Sequence, residues 1–247
     1  MSRAFFRVGL AIALVWVVSV AVEVAPAALA KVPVFRVRDH DFVGLRYLTP
    51  ETVLRTAGIG PDASVWDEAT AWEERLERHP LVREARIRRR FPTTLVVEVD
   101  ERIPVGLVPT PTLEPVDAEG RYLPLDPSRF PLDFPVLRPR PAVDGNVTPP
   151  HAEIRELAAA AAVMRTEPDF WSEISEIGHG PQGGIVVRRG QPEVVFHFPP
   201  KVDVTRVREA LAVLRDAEYR GVRRPPESVD LRFAGYVYPY WGREAEQ

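Results

Sequence analysis

Residues 80–105, PLVREARIRRRFPTTLVVEVDERIPV, constrain the fold more than any other part of the chain. Ala85 and Ile87, then Leu95, Val97 and Val99, recur at every second position, and Arg86, Arg88 and Arg90 fill the places between. Successive side chains of a strand point to opposite faces, so this alternation predicts two strands with one buried and one solvated face. Phe91-Pro92-Thr93-Thr94 separates the runs, because proline has no N–H for a central ladder and belongs at a turn or an edge. A hairpin of this kind needs a second layer over its apolar side.

That layer is legible upstream. Residues 34–43, VFRVRDHDFV, predict an alternating strand ahead of Gly44. Thr49-Pro50-Glu51 marks a helix start, with Thr49 as N-cap and Pro50 where a missing N–H costs nothing, and Gly58 closes the helix. A second helix is expected over 67–79, with Asp67 as candidate N-cap and Ala69, Trp72 and Leu76 facing inward, before Pro80 stops it. Its Glu73, Glu74 and Glu77 beside Arg75 and Arg78 read as a solvated helix face. The resulting order is β-α-α-β-β over residues 32–104, and two helices on one face of a three-stranded sheet enclose a core of their own.

Beyond it, 105–241 reads as a second, mixed β domain with helices, followed by a tail at 242–247. Asp117-Ala118-Glu119-Gly120 is a turn signal between short runs, and 139–150 reads as a loop. A helix is expected at 151–165, with an alanine-rich middle that favours helix but offers little volume to a core. Strands are expected at 173–177, 184–189 and 193–198, an amphipathic helix at 201–220 carrying Val204, Val207, Leu211 and Leu214, and closing strands at 229–233 and 236–241. The fold class is therefore α+β.

At the N-terminus, Arg3 and Arg7 belong to a short basic tail, 1–7, ahead of the apolar run 8–22. The excess of cations before the run predicts a membrane anchor over 8–30, with the tail cytoplasmic and the remainder exported. A spanning helix needs about 20 apolar residues, so the run must continue past Glu23. Ala28-Leu29-Ala30 also fits a cleavage site after a secretory signal. Both readings export the rest of the chain.

Common chemistries find no anchor in the 247 residues. Zero cysteines exclude disulfides, thiolate metal sites and a cysteine nucleophile. His40, His79, His151, His179 and His197 show no metal-ligand spacing, Gly178, Gly180, Gly183 and Gly184 read as a hairpin turn, and no serine lies in a nucleophile elbow. No metal, no cofactor and no enzymatic activity are expected. A formal net charge of -3 argues against a nucleic-acid partner despite the arginine run. What stands out is the aromatic end, where alternation places Tyr236, Tyr238 and Tyr240 on one side of a strand and Val237, Pro239 and Trp241 on the other. One side packing into the core explains half of these; an edge strand that accepts a partner strand explains the rest.

Val82, Ala85, Ile87, Arg89, Pro92, Thr94, Leu95, Val97, Val99, Glu101 and Pro104 fall at the spacing of the signature of bacterial cell-division POTRA domains, and the chain resembles the FtsQ/DivIB family. Asp117 to Gly120, Phe134-Pro135-Val136-Leu137, Lys201 and Val229-Asp230-Leu231-Arg232-Phe233 extend the resemblance into the second domain. It implies a non-enzymatic divisome scaffold with a single uncleaved inner-membrane anchor, located at the septum. It also implies that the strand after Asp-Leu-Arg binds an FtsB-like bitopic coiled-coil protein, itself paired with an FtsL-like one, and that Arg232, Phe233 and Trp241 join that contact. The POTRA domain and membrane segment would meet other divisome proteins. Tyr236, Tyr238, Pro239 and Tyr240 depart from the family's valine-like run. The alternatives are a POTRA-bearing export or outer-membrane assembly component and a secreted binding module cleaved after Ala30.

Overall fold

The computed structural model describes residues 15–16, 19, 25–110, 112–126, 128–140, 150–180, 183–222 and 224–242. Most of the expected anchor lies outside the described residues, and so does most of the expected 139–150 loop. Among the described residues no helix is long and apolar enough to cross a membrane. The chain divides into two compact units, 1–101 and 102–247.

The first unit is built from β1 (Asp39–Val43), α1 (Pro50–Ala57), α2 (Ala69–Glu77), β2 (Val82–Arg90) and β3 (Thr94–Glu101). The sheet order is β1-β3-β2, with β1 parallel and β2 antiparallel to the central β3. Ala85, Ile87, Leu95, Val97 and Val99 are buried against Val53 and Ala57 of α1 and Trp72 and Leu76 of α2, as the alternation predicts. The opposite face carries exposed Arg86, Arg88 and Arg90, each ion-paired, to Glu84, Glu98 and Asp41 respectively.

Local chemistry sets the joints. Thr49 Oγ1 accepts the N–H of Thr52 at 3.3 Å, and Gly58, at φ 74°, closes α1 in the left-handed conformation that glycine adopts without strain. Glu101 is buried, and its carboxylate accepts the N–H groups of Arg46, Tyr47 and Leu48 at 3.1, 2.7 and 3.0 Å, fixing the approach to α1 from the end of β3. Two expectations need correction. The first strand starts at Asp39 rather than 34, because Pro33 opens a 3-10 turn and Phe35 and Val37 exchange backbone bonds with Val65 and Ala63 instead of the sheet. Asp67 is not the N-cap of α2, since its carboxylate is committed to the N–H of Ser64 at 2.8 Å and the helix begins at Ala69.

The second unit contains β4 (Gly106–Pro109), β5 (Leu113–Val116), β6 (Val136–Arg138), α3 (His151–Met164), α4 (Pro168–Trp171), β7 (Ile174–His179), β8 (Ile185–Arg189), β9 (Val194–Phe198), α5 (Val204–Tyr219), β10 (Ser228–Asp230) and β11 (Tyr238–Tyr240). One eight-stranded mixed sheet runs β11-β10-β9-β8-β7-β6-β4-β5. Its core joins Ile177, Ile185, Phe196 and Phe198 of the strands to Phe170 of α4, Ile154, Leu157 and Met164 of α3, and Val207 and Leu211 of α5. The alanines of α3 serve a different purpose: Ala158, Ala160 and Ala161 are buried, and their small side chains let the helix lie close upon β4, β6 and β7. Asp117 caps its turn by accepting the N–H groups of Glu119 and Arg121, and Gly180, Gly183 and Gly184 do belong to the β7–β8 turn, whereas Gly178, expected there too, lies within β7 and pairs with Val186. The short helix α4 was not expected from sequence.

Candidate partner-binding edge

A sheet edge binds a strand only if its N–H and C=O groups are uncovered. In the first unit β2 is covered by side chains. Glu77 Oε1 accepts the N–H of Ala85 at 3.3 Å and Glu73 Oε1 that of Ile87 at 2.6 Å. Four helical residues rise about 6 Å and two strand residues about 6.6 Å, so carboxylates at i and i+4 of α2 match alternate donors of β2. The expectation that Glu73 and Glu77 merely face solvent is thereby corrected. Beside β5, Leu123 donates to Pro115 O at 2.8 Å and Tyr122 bridges Val116, so the chain's own 121–125 segment occupies that edge. The β1 and β11 edges have no strand beside them among the described residues. β1 carries Asp39 and Asp41, charges of the kind that discourage strand addition. β11 carries aromatics.

The orientation of β11 follows from its neighbours. Val195 donates to Glu227 O and Leu231 to His197 O, which with the alternation turns Glu227 O, Val229 and Leu231 toward β9, while the N–H of Glu227 crosses to Tyr240 O of β11 at 2.8 Å. Ser228 and Asp230 then face β11, where they pair with Tyr240 and Tyr238. By the same alternation the backbone groups of Val237, Pro239 and Trp241 point to the open edge. The donor that Pro239 lacks is missing from the edge and not from the ladder, which is where a strand proline is tolerated.

Both closing strands are shorter than 229–233 and 236–241. Asp230 Oδ1 accepts the N–H of Arg232 at 3.0 Å, a local bond that curls the chain out of β10, and the turn that follows has Gly235 at φ 76° and a bond from Tyr236 N to Phe233 O. Pairing therefore resumes only at Tyr238. Phe233, Tyr236, Tyr238 and Tyr240 are 55%, 63%, 53% and 55% exposed, and the first three are in ring contact. Tyr236 and Tyr238 stack at 6.2 Å between centroids, Phe233 meets Tyr238 edge-on at 6.2 Å, and the Arg232 guanidinium lies 5.9 Å from the Phe233 ring centre. Trp241 lies apart from these rings. With Val237 and Pro239 it lines a groove of about 290 Å³ shared with Glu209, Ala212, Val213 and Asp216 of α5.

Arg232 forks onto Asp230, with Nη2 to Oδ2 at 2.6 Å and Nε to Oδ1 at 3.0 Å. Hydrogen bonding to Arg232 holds the Asp230 carboxyl below its usual range despite partial burial. His197, opposite Asp230 on β9, is pushed below its ordinary value chiefly by burial, with Asp230 opposing. The buried His179 side chain lies with Nδ1 3.0 Å from Glu153 and Nε2 3.3 Å from Glu156, without the geometry of a hydrogen bond at either nitrogen. Among the described residues no cluster of three or more histidine or carboxylate side chains is arranged to hold a metal. One residue of this region escaped the sequence reading: Arg206, buried in the first turn of α5, whose guanidinium reaches Phe233 O at 2.8 Å. A cation in the first turn of a helix opposes the helix dipole, and that was the signal that could have found it.

A three-stranded sheet under two helices in the order β-α-α-β-β defines a POTRA-bearing protein, here followed along the chain by a second β unit. The model of the FtsQ-type POTRA domain matches residues 35–102. A cell division protein FtsQ of Anaeromyxobacter sp. is 31% identical over 230 residues, covering 83% of this chain and 74% of the relative. Another FtsQ, from Myxococcus fulvus, is 32% identical over 155 residues, 59% of this chain and 52% of the relative, so the match spans about half of that protein. A cell division protein DivIB of Bacillus cereus is 23% identical over 152 residues, 60% of this chain and 55% of the relative. The chain belongs to the FtsQ/DivIB family of cell-division proteins.

Proposed function

We propose that this protein is a membrane-anchored, non-enzymatic scaffold of the division septum that takes a strand of a partner protein onto the open edge of β11. The partner class is a bitopic coiled-coil protein of the FtsB type, itself paired with an FtsL-type protein. The observation that supports this most directly is the conjunction, on one short strand, of an uncovered edge and an exposed aromatic patch. Main-chain bonds give such an interface its affinity, and Arg232, Phe233, Tyr236, Tyr238 and Tyr240 give it side-chain anchors. Trp241 supports it from the groove side, holding the strand against α5. The anchor is the apolar run beginning at Val8, with the basic tail inside and both folded units outside the cytoplasmic membrane.

A photo-crosslinking amino acid placed at 236, 238 or 240 in dividing cells should join the chain to a small bitopic coiled-coil protein, and one placed at 186 in the sheet interior should not. Equal or stronger crosslinks from 186 would remove the edge from consideration. A fluorescent fusion should gather at midcell; uniform envelope fluorescence would favour an export component instead. Mature protein that begins at Lys31 and washes from membranes in carbonate would favour the secreted module.

A further inference from the structure

Arg206 is an unlikely residue for its position by ordinary physics: it is a cation in the first turn of α5, near the positive end of the helix, with its side chain only 10% exposed. Its bonding accounts for it. The guanidinium donates to Phe233 O at 2.8 Å and, more weakly, to Tyr236 O at 3.5 Å, and its charge is balanced by Glu209 one turn along. Those two carbonyls bracket the turn that carries the chain from the end of β10 into β11. β11 is three residues long, has β10 as its one neighbour among the described residues, and enters through a glycine at positive φ. Such a strand has little of its own to hold it in an extended shape.

From this geometry we infer that Arg206 is the positioning residue of the partner-binding edge: its planar fork fixes the 233–236 turn, and so pre-forms β11 and the Phe233–Tyr238 contact before any partner arrives. The inference rests on the strand-addition reading given above. A lysine replaces it only in part, because an ammonium offers no rigid pair of parallel donors to two carbonyls. Without the clamp, the partner must order the strand as it binds, which lowers the apparent affinity in proportion to the fraction of the chain that is still competent.

The test uses the full chain in nanodiscs, with amide hydrogen exchange as the first readout and titration with the extracytoplasmic half of the FtsB-type protein of the same cell as the second. Arg206→Met is combined with Glu209→Gln so that no carboxylate is left unpaired, and Arg206→Lys is the conservative control. The double variant should speed exchange at Tyr238 and Tyr240, whose N–H groups face β10, by about tenfold or more, leave Phe196 and Phe198 of β9 protected, and weaken partner binding by a similar factor. Arg206→Lys should fall between. Unchanged protection at Tyr238 and Tyr240 overturns the inference whatever the binding shows, and so does a loss of protection that spreads equally to β9, which would mark Arg206 as general core support. Faster exchange at Tyr238 and Tyr240 with undiminished binding would instead sink the strand-addition reading, and the positioning role in partner binding with it.

Discussion

Proline substitution along β11 separates the two edges of the strand. At Val237 the N–H points to the open side, so Val237→Pro removes a donor that the fold does not use, and the strand already tolerates a proline two residues on. The cost to folding should stay below about 1 kcal/mol, mainly from altered packing of the partly buried Val237 against the core. A bound partner strand, by contrast, loses one hydrogen bond worth about 1 kcal/mol and is left with an unsatisfied carbonyl worth about 1–3 kcal/mol more. The sum, about 2–4 kcal/mol, is a fall in affinity of roughly 30-fold to several hundredfold. Tyr238→Pro is the mirror experiment. Its N–H faces Asp230 on β10, so proline there strikes the ladder itself and should unpair β11. Calorimetric titration of the full chain in nanodiscs against the FtsB-type partner, with thermal unfolding as the stability control, reads both. Wild-type affinity in a folded Val237→Pro variant would refute the assignment of the open side, and with it the strand-addition account.

Ile87→Asp should destabilise the POTRA unit by about 4 kcal/mol or more in chemical denaturation, because it buries an unpaired carboxylate opposite Val97, whereas Arg88→Asp on the exposed face should cost about 1 kcal/mol or less; equal effects would mean the faces are misassigned. Glu73→Ala with Glu77→Ala should uncover the N–H groups of Ala85 and Ile87 and make the chain associate through β2, read as a concentration-dependent mass in light scattering. A variant that stays monomeric would show that the carboxylates guard nothing. Because burial depresses the His197 pKa, the site contributes stability that is complete above about pH 6.5 and is lost as pH falls through the lower folded value; His197→Gln should flatten the stability profile below about pH 6.5, and a profile unchanged by the substitution would remove His197 as its source. The depressed Asp230 carboxyl acts the same way at lower pH, with stability present above about 3.8 and lost below.

Much of the first unit was written in its sequence. Period-two apolar positions fixed which faces of β2 and β3 are buried, and Thr49, Pro50 and Gly58 marked α1 to the residue, because these signals act between near neighbours and depend on little else. The aromatic end could be divided into two sides for the same reason. Wherever a side chain had to choose between distant partners, the sequence was silent. Glu73 and Glu77 have the spacing of any solvated helix face, and only the folding of α2 beside β2 turns them into caps for strand N–H groups. Residues 34–38 read as strand until the 63–65 segment took the backbone bonds of Phe35 and Val37, whereas Asp67 is a local case, its carboxylate taken by the N–H of Ser64 three residues back. The sequence by itself determined the helices and hairpin of the first unit, their buried faces and the family. Tertiary structure alone decided which strand edges are closed, that β11 lies at an open one, and that Arg206 reaches its carbonyls across 27 and 30 residues of chain, since hydrogen bonds between distant segments leave no period along the sequence to be read.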